Sequence, residues 1–359
     1  SVDMLKSLFK KKQPPIVGLD IGTRCIKAVV LEGAEGDYTL TAFACEPIIK
    51  DAFREREITD FDAVSVALRK VRLALKNKIK PASIAVAGTS VISKIVHMEP
   101  DQTDYELEGQ IEVEADSLIP YPLEEVYLDF EEVGMSETHS GKVNVLLTAA
   151  HRDVVDSRST LVREQSFEPK VVDVETYAIG NAVDYFYPHG EAAQRICCIN
   201  IGASLLQVCV WDDGSTVYTK EHTFGVDSLI QDLSLVHMLD RKDTEEQLIN
   251  NTLPSNWITD TLPIFVANLQ QQINRALQMY MTTMQANRPE KIVLVGAGAV
   301  IPALVDTLRQ DLGIEVEVFN PFANVKISDK LNSEQVEQVA PLLAIAAGLA
   351  SRGMSRWHM

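Results

Sequence analysis

The sequence predicts an α/β protein of two related lobes, with a small α+β module inserted into the first. Three observations predict it. Residues 16–31 (IVGLDIGTRCIKAVVL) read as two buried strands around a turn at Asp20-Ile21-Gly22-Thr23. Residues 196–210 (ICCINIGASLLQVCV) repeat that theme, with Asn200-Ile201-Gly202 in place of Asp20-Ile21-Gly22. Between the two copies, after Ser90, the pattern changes to short alternating strands around a very acidic helical stretch, Tyr105 to Leu118.

The opening turn has the composition of an anion cradle. A carboxylate at the end of a buried strand, Asp20, is costly unless something pairs with it. Gly22 lets a bound group approach the backbone closely. Turn amides form an anion nest, Thr23 adds a hydroxyl, and Lys27 returns on the second strand with a positive charge. Asp20 would then hold a hydrated Mg²⁺, which keeps several of its waters. The same residues also suit an ordinary β-hairpin, and the stretch alone leaves both readings open.

Length and composition narrow the class. A chain of 359 residues with 46% hydrophobic content has enough material for two or three domains. A net charge of −18 argues against non-specific nucleic-acid binding through a general basic field. Five cysteines (Cys25, Cys45, Cys197, Cys198, Cys209) are scattered without zinc spacing and read as reduced, buried thiols. No apolar run reaches the ~20 residues that span a bilayer. The N-terminal segment around Leu5, Leu8 and Phe9 with its lysines reads as a solvated leader, a minimal amphipathic anchor being the alternative.

Taken in order, residues 1–13 form the leader and 14–90 the first lobe, with a third strand over 36–46, an amphipathic helix over 60–76 capped at Thr59 or Asp60, and a strand over 84–88. Residues 91–168 are the inserted module: strand, acidic helix 105–118, a Pro120/Pro122 break, two strands, and a helix from Val154 to Glu164. Residues 169–195 return to the first lobe through a strand and a helix at 175–187. The second lobe opens at 196–225 and continues through an almost purely helical segment, 226–290. A buried strand at 291–295 then runs into Gly296-Ala297-Gly298, where a nucleotide can lie near a helix start, although close helix–strand packing explains the glycines equally. A helix from Pro302, a strand over 316–319 and an alanine-rich helix over 340–350, where Gly348 permits close approach, complete 291–351. Residues 352–359 are a short tail.

Together these stretches resemble the ATPase superfamily of actin, the heat-shock chaperones and the sugar kinases, a ribonuclease H-like duplicated fold in which two lobes close on Mg·ATP. Lys27, seven residues after Asp20, matches the phosphate-contacting lysine of the actin branch. Gly296-Ala297-Gly298 stands where relatives cradle the adenosine, and 171–180 with 340–348 match the two connecting helices. The position of the insert is similar to that in the FtsA and PilM families. The stretch SLIPYPLEEV (117–126), with DVETYA (173–178) and IGAS (201–204), resembles the PilM family of type IV pilus assembly.

That resemblance implies an actin-like scaffold at the inner face of the inner membrane, with ATP and Mg²⁺ as cofactors. The implied nucleotide-binding set is Asp20, Gly22, Thr23, Lys27, Asn200, Gly202, Ser204, Gly225, Gly296 and Gly298, with Asp20 as the metal-holding residue. The implied partner is the short cytosolic tail of a PilN-like inner-membrane protein, captured as an extended segment. Other pilus assembly proteins, motor ATPases and further copies of the chain are additional partners to be expected of such a scaffold. The acidic helix 105–118 is one candidate surface, a solvated face being the plainer reading.

Two departures bear on activity. Asn200 hydrogen-bonds a phosphate or metal-bound water but supplies neither negative charge nor a base. Residues 243–250 lack the lysine that relatives place against the nucleotide. ATP binding with slow or absent hydrolysis is therefore the expectation. An FtsA-like division protein or a type II secretion component are alternatives within the fold. A small-molecule kinase is a third, disfavoured by Asn200 and by a missing second carboxylate.

Overall fold

The structure is a computed structural model that describes residues 14–34, 36–192 and 194–354. The expectations for the leader and for most of the tail lie outside the described residues. The chain divides into two compact units, Val86–Leu161 and the remainder.

The larger unit opens with an antiparallel meander of β1 (Val17–Ile21), β2 (Cys25–Ala34) and β3 (Asp37–Pro47). All five residues of β1 are buried, as its apolar run predicts. A two-residue ribbon, β4 (Phe53–Arg54) with β5 (Glu57–Ile58), leads to α1 (Phe61–Ala74). Asp60 caps that helix by accepting from the Ala63 amide at 3.0 Å, and Val64, Ala67, Leu68 and Val71 form its buried stripe. β6 (Pro81–Val86) then runs parallel to β1. The sequence pattern starts this strand at Ile84 and treats Pro81 as a stop. The structure starts it at Pro81, a position where the missing amide costs little.

The smaller unit contains β7 (Val91–Met98), α2 (Asp104–Leu118), β8 (Val126–Met135) and β9 (Val143–His151), with the strands in the order β7-β9-β8. Thr103 and Glu106 close a capping box at the start of α2. Leu107, Ile111 and Ala115 of α2 share a core with Val96, Met98, Val145 and Leu147. Glu106, Glu108, Glu112 and Asp116 face solvent. The next helix, α3 (Arg152–Glu164), runs across the boundary of the two units.

The larger unit resumes with β10 (Glu168–Val174) and α4 (Glu175–Phe186). A second antiparallel meander follows: β11 (Arg195–Ile201), β12 (Leu206–Asp212) and β13 (Ser215–His222). The helices α5 (Val226–His237), α6 (Arg241–Ile249), α7 (Trp257–Asp260) and α8 (Leu262–Met284) form the helical segment, which is interrupted around Pro254. β14 (Lys291–Val295), α9 (Leu304–Leu312), β15 (Glu315–Val318), β16 (Lys326–Ile327), α10 (Ser333–Val339) and α11 (Ala344–Ala350) complete it. The glycine segment expected to open a helix forms a 3₁₀ turn, Ala297–Val300, before α9.

The duplication is visible in the strand order. One sheet reads β3-β2-β1-β6-β10 and the other β13-β12-β11-β14-β15, with β16 added at the outer edge of the first. Helices α4 and α11 lie in a core shared by both sheets. It joins Val29, Leu31 and Leu40 to Ala178, Val183, Ala346 and Leu349, and on to Cys198, Trp211 and Val293. A Cβ on Gly348 would sit 1.9 Å from the Ala178 carbonyl oxygen, so glycine is what lets these two helices cross at contact distance. The short β4, β5 and β16 carry no periodic signal and are absent from the sequence expectations.

Candidate functional site

Each meander turns from its first strand to its second through the same tight connection. The Gly22 amide donates to the Cys25 carbonyl at 3.1 Å, and the Gly202 amide donates to the Leu205 carbonyl at 2.8 Å. Within the larger unit the two turns meet at their tips, with Thr23 Oγ1 3.3 Å from Ser204 Oγ. Arg24 reaches from the first turn to Asp227 at the start of α5, 3.4 Å away, and Asp227 is also held by Arg241 at 2.5 Å.

Strand register places a matching row of side chains beneath each turn. In the first sheet Asp20 pairs with Lys27 and Lys27 with Cys45. In the second, Asn200 pairs with Gln207 and Gln207 with Glu221. Cross-strand partners stand side by side on one face, so each row is a line of three side chains across three strands.

The first row is ionic. Asp20 is buried, and Lys27 Nζ lies 3.3 Å from its Oδ2. Burial pulls the Lys27 ammonium down, but Asp20 and the thiols of Cys25 and Cys45 outweigh it and hold it above its ordinary value. A Cβ on Gly22 would come within 3.2 Å of Lys27 Nζ, so the glycine leaves room above the pair.

The second row is neutral where the first is charged. Asn200 Nδ2 donates to Gln207 Oε1 at 2.7 Å. The Gln207 amide nitrogen lies 3.2 Å from Glu221 and 3.4 Å from Glu175 at the start of α4. Arg56, from the first half of the chain, closes this network at 2.9 Å from Glu221, whose side chain is 4% exposed. Gln207, Glu175, Glu221 and Arg56 are absent from the sequence-derived site. The register opposite Asn200 could have found Gln207 and Glu221. Glu175 is masked by its position, because an acid at a helix start is commonplace.

The remaining candidates serve packing in this structure. A Cβ on Gly225 would lie 2.3 Å from the Ala203 carbonyl oxygen. The first amides of α5 donate to that turn: Val226 to Gly202 at 3.0 Å and Asp227 to Ala203 at 2.9 Å. Gly296 has φ +86°, and a Cβ there would lie 2.1 Å from Asn200 Oδ1; one on Gly298 would lie 2.4 Å from Ile201. Asp20, Gly22, Thr23 and Lys27 thus gather on one side, with Asn200, Gly202, Ser204, Gly225, Gly296 and Gly298 on the other.

Among the described residues no group of three or more His, Cys, Asp or Glu side chains could hold a metal ion. Hydrated Mg²⁺ carried by phosphates needs only one or two carboxylates, so a buried Asp20 beside a cation suited to phosphate fits Mg·ATP. Likewise, no helix among the described residues is long and apolar enough to cross a membrane.

Comparison with known proteins agrees with this architecture. The chain is similar to a solved PilM–PilN type IV pilus biogenesis complex, at 24% identity over 95% of this chain and 99% of that one, with a TM-score of 0.80. It is also similar to the ethanolamine utilization protein EutJ from Carboxydothermus hydrogenoformans, at 15% identity over 94% and 89% of the two chains, TM-score 0.58. MreB 5 of Spiroplasma citri, solved with bound AMPPNP, matches at 12% identity over 93% and 94%, TM-score 0.47. The fold is a mixed α/β fold shared with the matching chain of that PilM–PilN complex. The family model for type IV pilus assembly protein PilM matches residues 18–354. With that match spanning nearly all of the described residues, the chain belongs to the PilM family of type IV pilus assembly proteins.

Proposed function

We propose that this chain is a nucleotide-holding scaffold of a type IV pilus assembly complex at the inner face of the inner membrane. It holds Mg·ATP between the two turns and takes the short N-terminal cytosolic tail of a PilN-like membrane protein as its partner. The observation that carries the nucleotide reading is the tip-to-tip approach of the turns, Thr23 to Ser204 at 3.3 Å, over the Asp20–Lys27 ion pair on one side and the neutral Asn200–Gln207 pair on the other. Bound ATP would supply the anionic charge that Lys27 and the turn amides attract, and Asp20 would hold the water shell of Mg²⁺. Asn200 and Gln207 orient by hydrogen bonding and take up no proton, so turnover is slow or absent. The partner reading is supported by family membership and by the similar complex, which contains PilN.

Two measurements on the full chain test this. Phosphate release from Mg·ATP should stay near background, and brisk turnover would refute the scaffold reading. A labelled peptide of the PilN cytosolic tail from the same source should bind saturably, and failure to bind with and without Mg·ATP would remove the partner assignment.

A further inference from the structure

The first row ends in a cysteine with a second cysteine beside it. Cys25 opens β2 and Cys45 lies near the end of β3, at positions diagonal to one another across the Lys27–Cys45 pair. Their sulfurs are 3.1 Å apart, and both residues are half-buried. The other three cysteines are buried. Of the five thiols expected to be buried, these two alone among the described residues are in reach of both solvent and each other. A disulfide needs an S–S separation of about 2.05 Å, so side-chain rotation of roughly 1 Å between strands already paired would close it.

We propose that Cys25 and Cys45 are a modification site: a dithiol that hydrogen peroxide oxidises to a cross-strand disulfide beside the Asp20–Lys27 ion pair. The hydrogen bond shared with Cys25, with Lys27 alongside, holds the Cys45 thiol below its ordinary value, against burial and the charges of Glu46 and Asp20. The same bond, together with burial, holds Cys25 up. Cys45 is therefore the attacking sulfur and Cys25 the resolving one. In the first step the Cys45 sulfur attacks one peroxide oxygen. An S–O bond forms, the O–O bond breaks, and the leaving hydroxide takes the thiol proton to become water. In the second step Cys25 sulfur attacks Cys45 sulfur, the S–S bond forms, the S–O bond breaks, and hydroxide leaves with the Cys25 proton as a second water. The pair loses two electrons and the peroxide gains them.

The site does not depend on the nucleotide reading, since strand register and sulfur separation alone define it. The test treats the full chain with hydrogen peroxide and maps its peptides without reduction by mass spectrometry. The expected product is a Cys25–Cys45 linkage that dithiothreitol reverses, with the thiol count after denaturation falling by two from five. In Cys25→Ser, dimedone should trap a sulfenic acid at Cys45, whereas in Cys45→Ser the Cys25 thiol should survive the same exposure. The wild-type map decides on its own, so a variant that folds poorly does not blunt it. Both thiols still free after treatment, separate over-oxidation of each, or linkage of either to Cys197, Cys198 or Cys209 would overturn the proposal.

Discussion

The two meanders share strand order, turn geometry and register, yet they carry different chemistry. Asp20–Lys27–Cys45 places a carboxylate and an ammonium in contact beneath the first turn. Asn200–Gln207–Glu221 places two neutral amides beneath the second and moves the charge outward, to Glu221 with Arg56. Backbone and function separate here. The turn needs a glycine and an extended register, which both copies keep, while the side chains at matched positions are free to diverge. One copy therefore presents a charged pair and the other directional hydrogen bonds.

The largest effect expected on this contrast comes from Asp20→Ala. It leaves the half-buried Lys27 ammonium without its partner and should cost roughly 3 kcal/mol in urea denaturation. Asp20→Ala with Lys27→Met should recover much of that loss, because an apolar pair of similar volume tolerates the site. If the single variant were as stable as the wild type, the first row would not be a buried ion pair in any energetic sense.

Gly296→Ala should come next, at about 2 kcal/mol. A side chain there is strained at φ +86° and meets Asn200 Oδ1 and the Ile201 carbonyl. It should disturb the second row alone and leave the Asp20–Lys27 pair intact. Circular dichroism melts of Gly296→Ala with and without Asp20→Ala should show additive losses, since the two sites share no partner.

Asn200→Asp brings a carboxylate to Gln207, next to Glu175 and Glu221, and loses the amide donor. A loss of about 1 kcal/mol is expected from the hydrogen bond. Adding Gln207→Lys recreates the first row within the second and should restore stability. A double variant less stable than Asn200→Asp would show that the two rows are not interchangeable environments.

The smallest effect concerns pH. Burial, then Lys220 and Arg275, hold the imidazole of His222 at the end of β13 below its ordinary value. As pH falls below about 6.5 the unfolded chain takes up this proton first, so stability present above that value is lost toward the depressed folded value. His222→Gln should flatten the pH dependence of the melting temperature in that window. Lys27 behaves oppositely: with its value raised, its contribution is complete below about 10.4 and lost only as pH rises beyond it. The Lys27 charge should therefore be constant between pH 5 and about 8.

Much of the fold was legible in the sequence because its strands and helices are long and periodic. Ile16 to Leu31 and Ile196 to Val210 announce their meanders through buried runs, and Phe265 to Met281 marks α8 at a spacing of four. The two-residue strands β4, β5 and β16 hold their places through tertiary pairing, which leaves no local pattern. The site was legible where one residue type is unusual in its setting: Asp20 in an apolar strand, and Asn200 in its copy. Gln207 and Glu221 look ordinary in sequence and gain meaning only from the register that sets them beside Asn200. Gly225, Gly296 and Gly298 belong to the nucleotide-binding set that the resemblance implies, and in the structure each has a neighbour that would collide with any side chain. The cysteine pair was hidden because Cys25 and Cys45 are twenty residues apart and meet only across the strand pair.

The proposal that the paired turns hold Mg·ATP requires the charge of the first row. Calorimetric titration of Mg·ATP into the wild type, Asp20→Ala and Asn200→Ala, each checked for folding by circular dichroism, tests it directly. Saturable binding is expected in the wild type, abolished by Asp20→Ala and only weakened by Asn200→Ala. Equal binding by a folded Asp20→Ala variant, or no heat with any of the three, would contradict it.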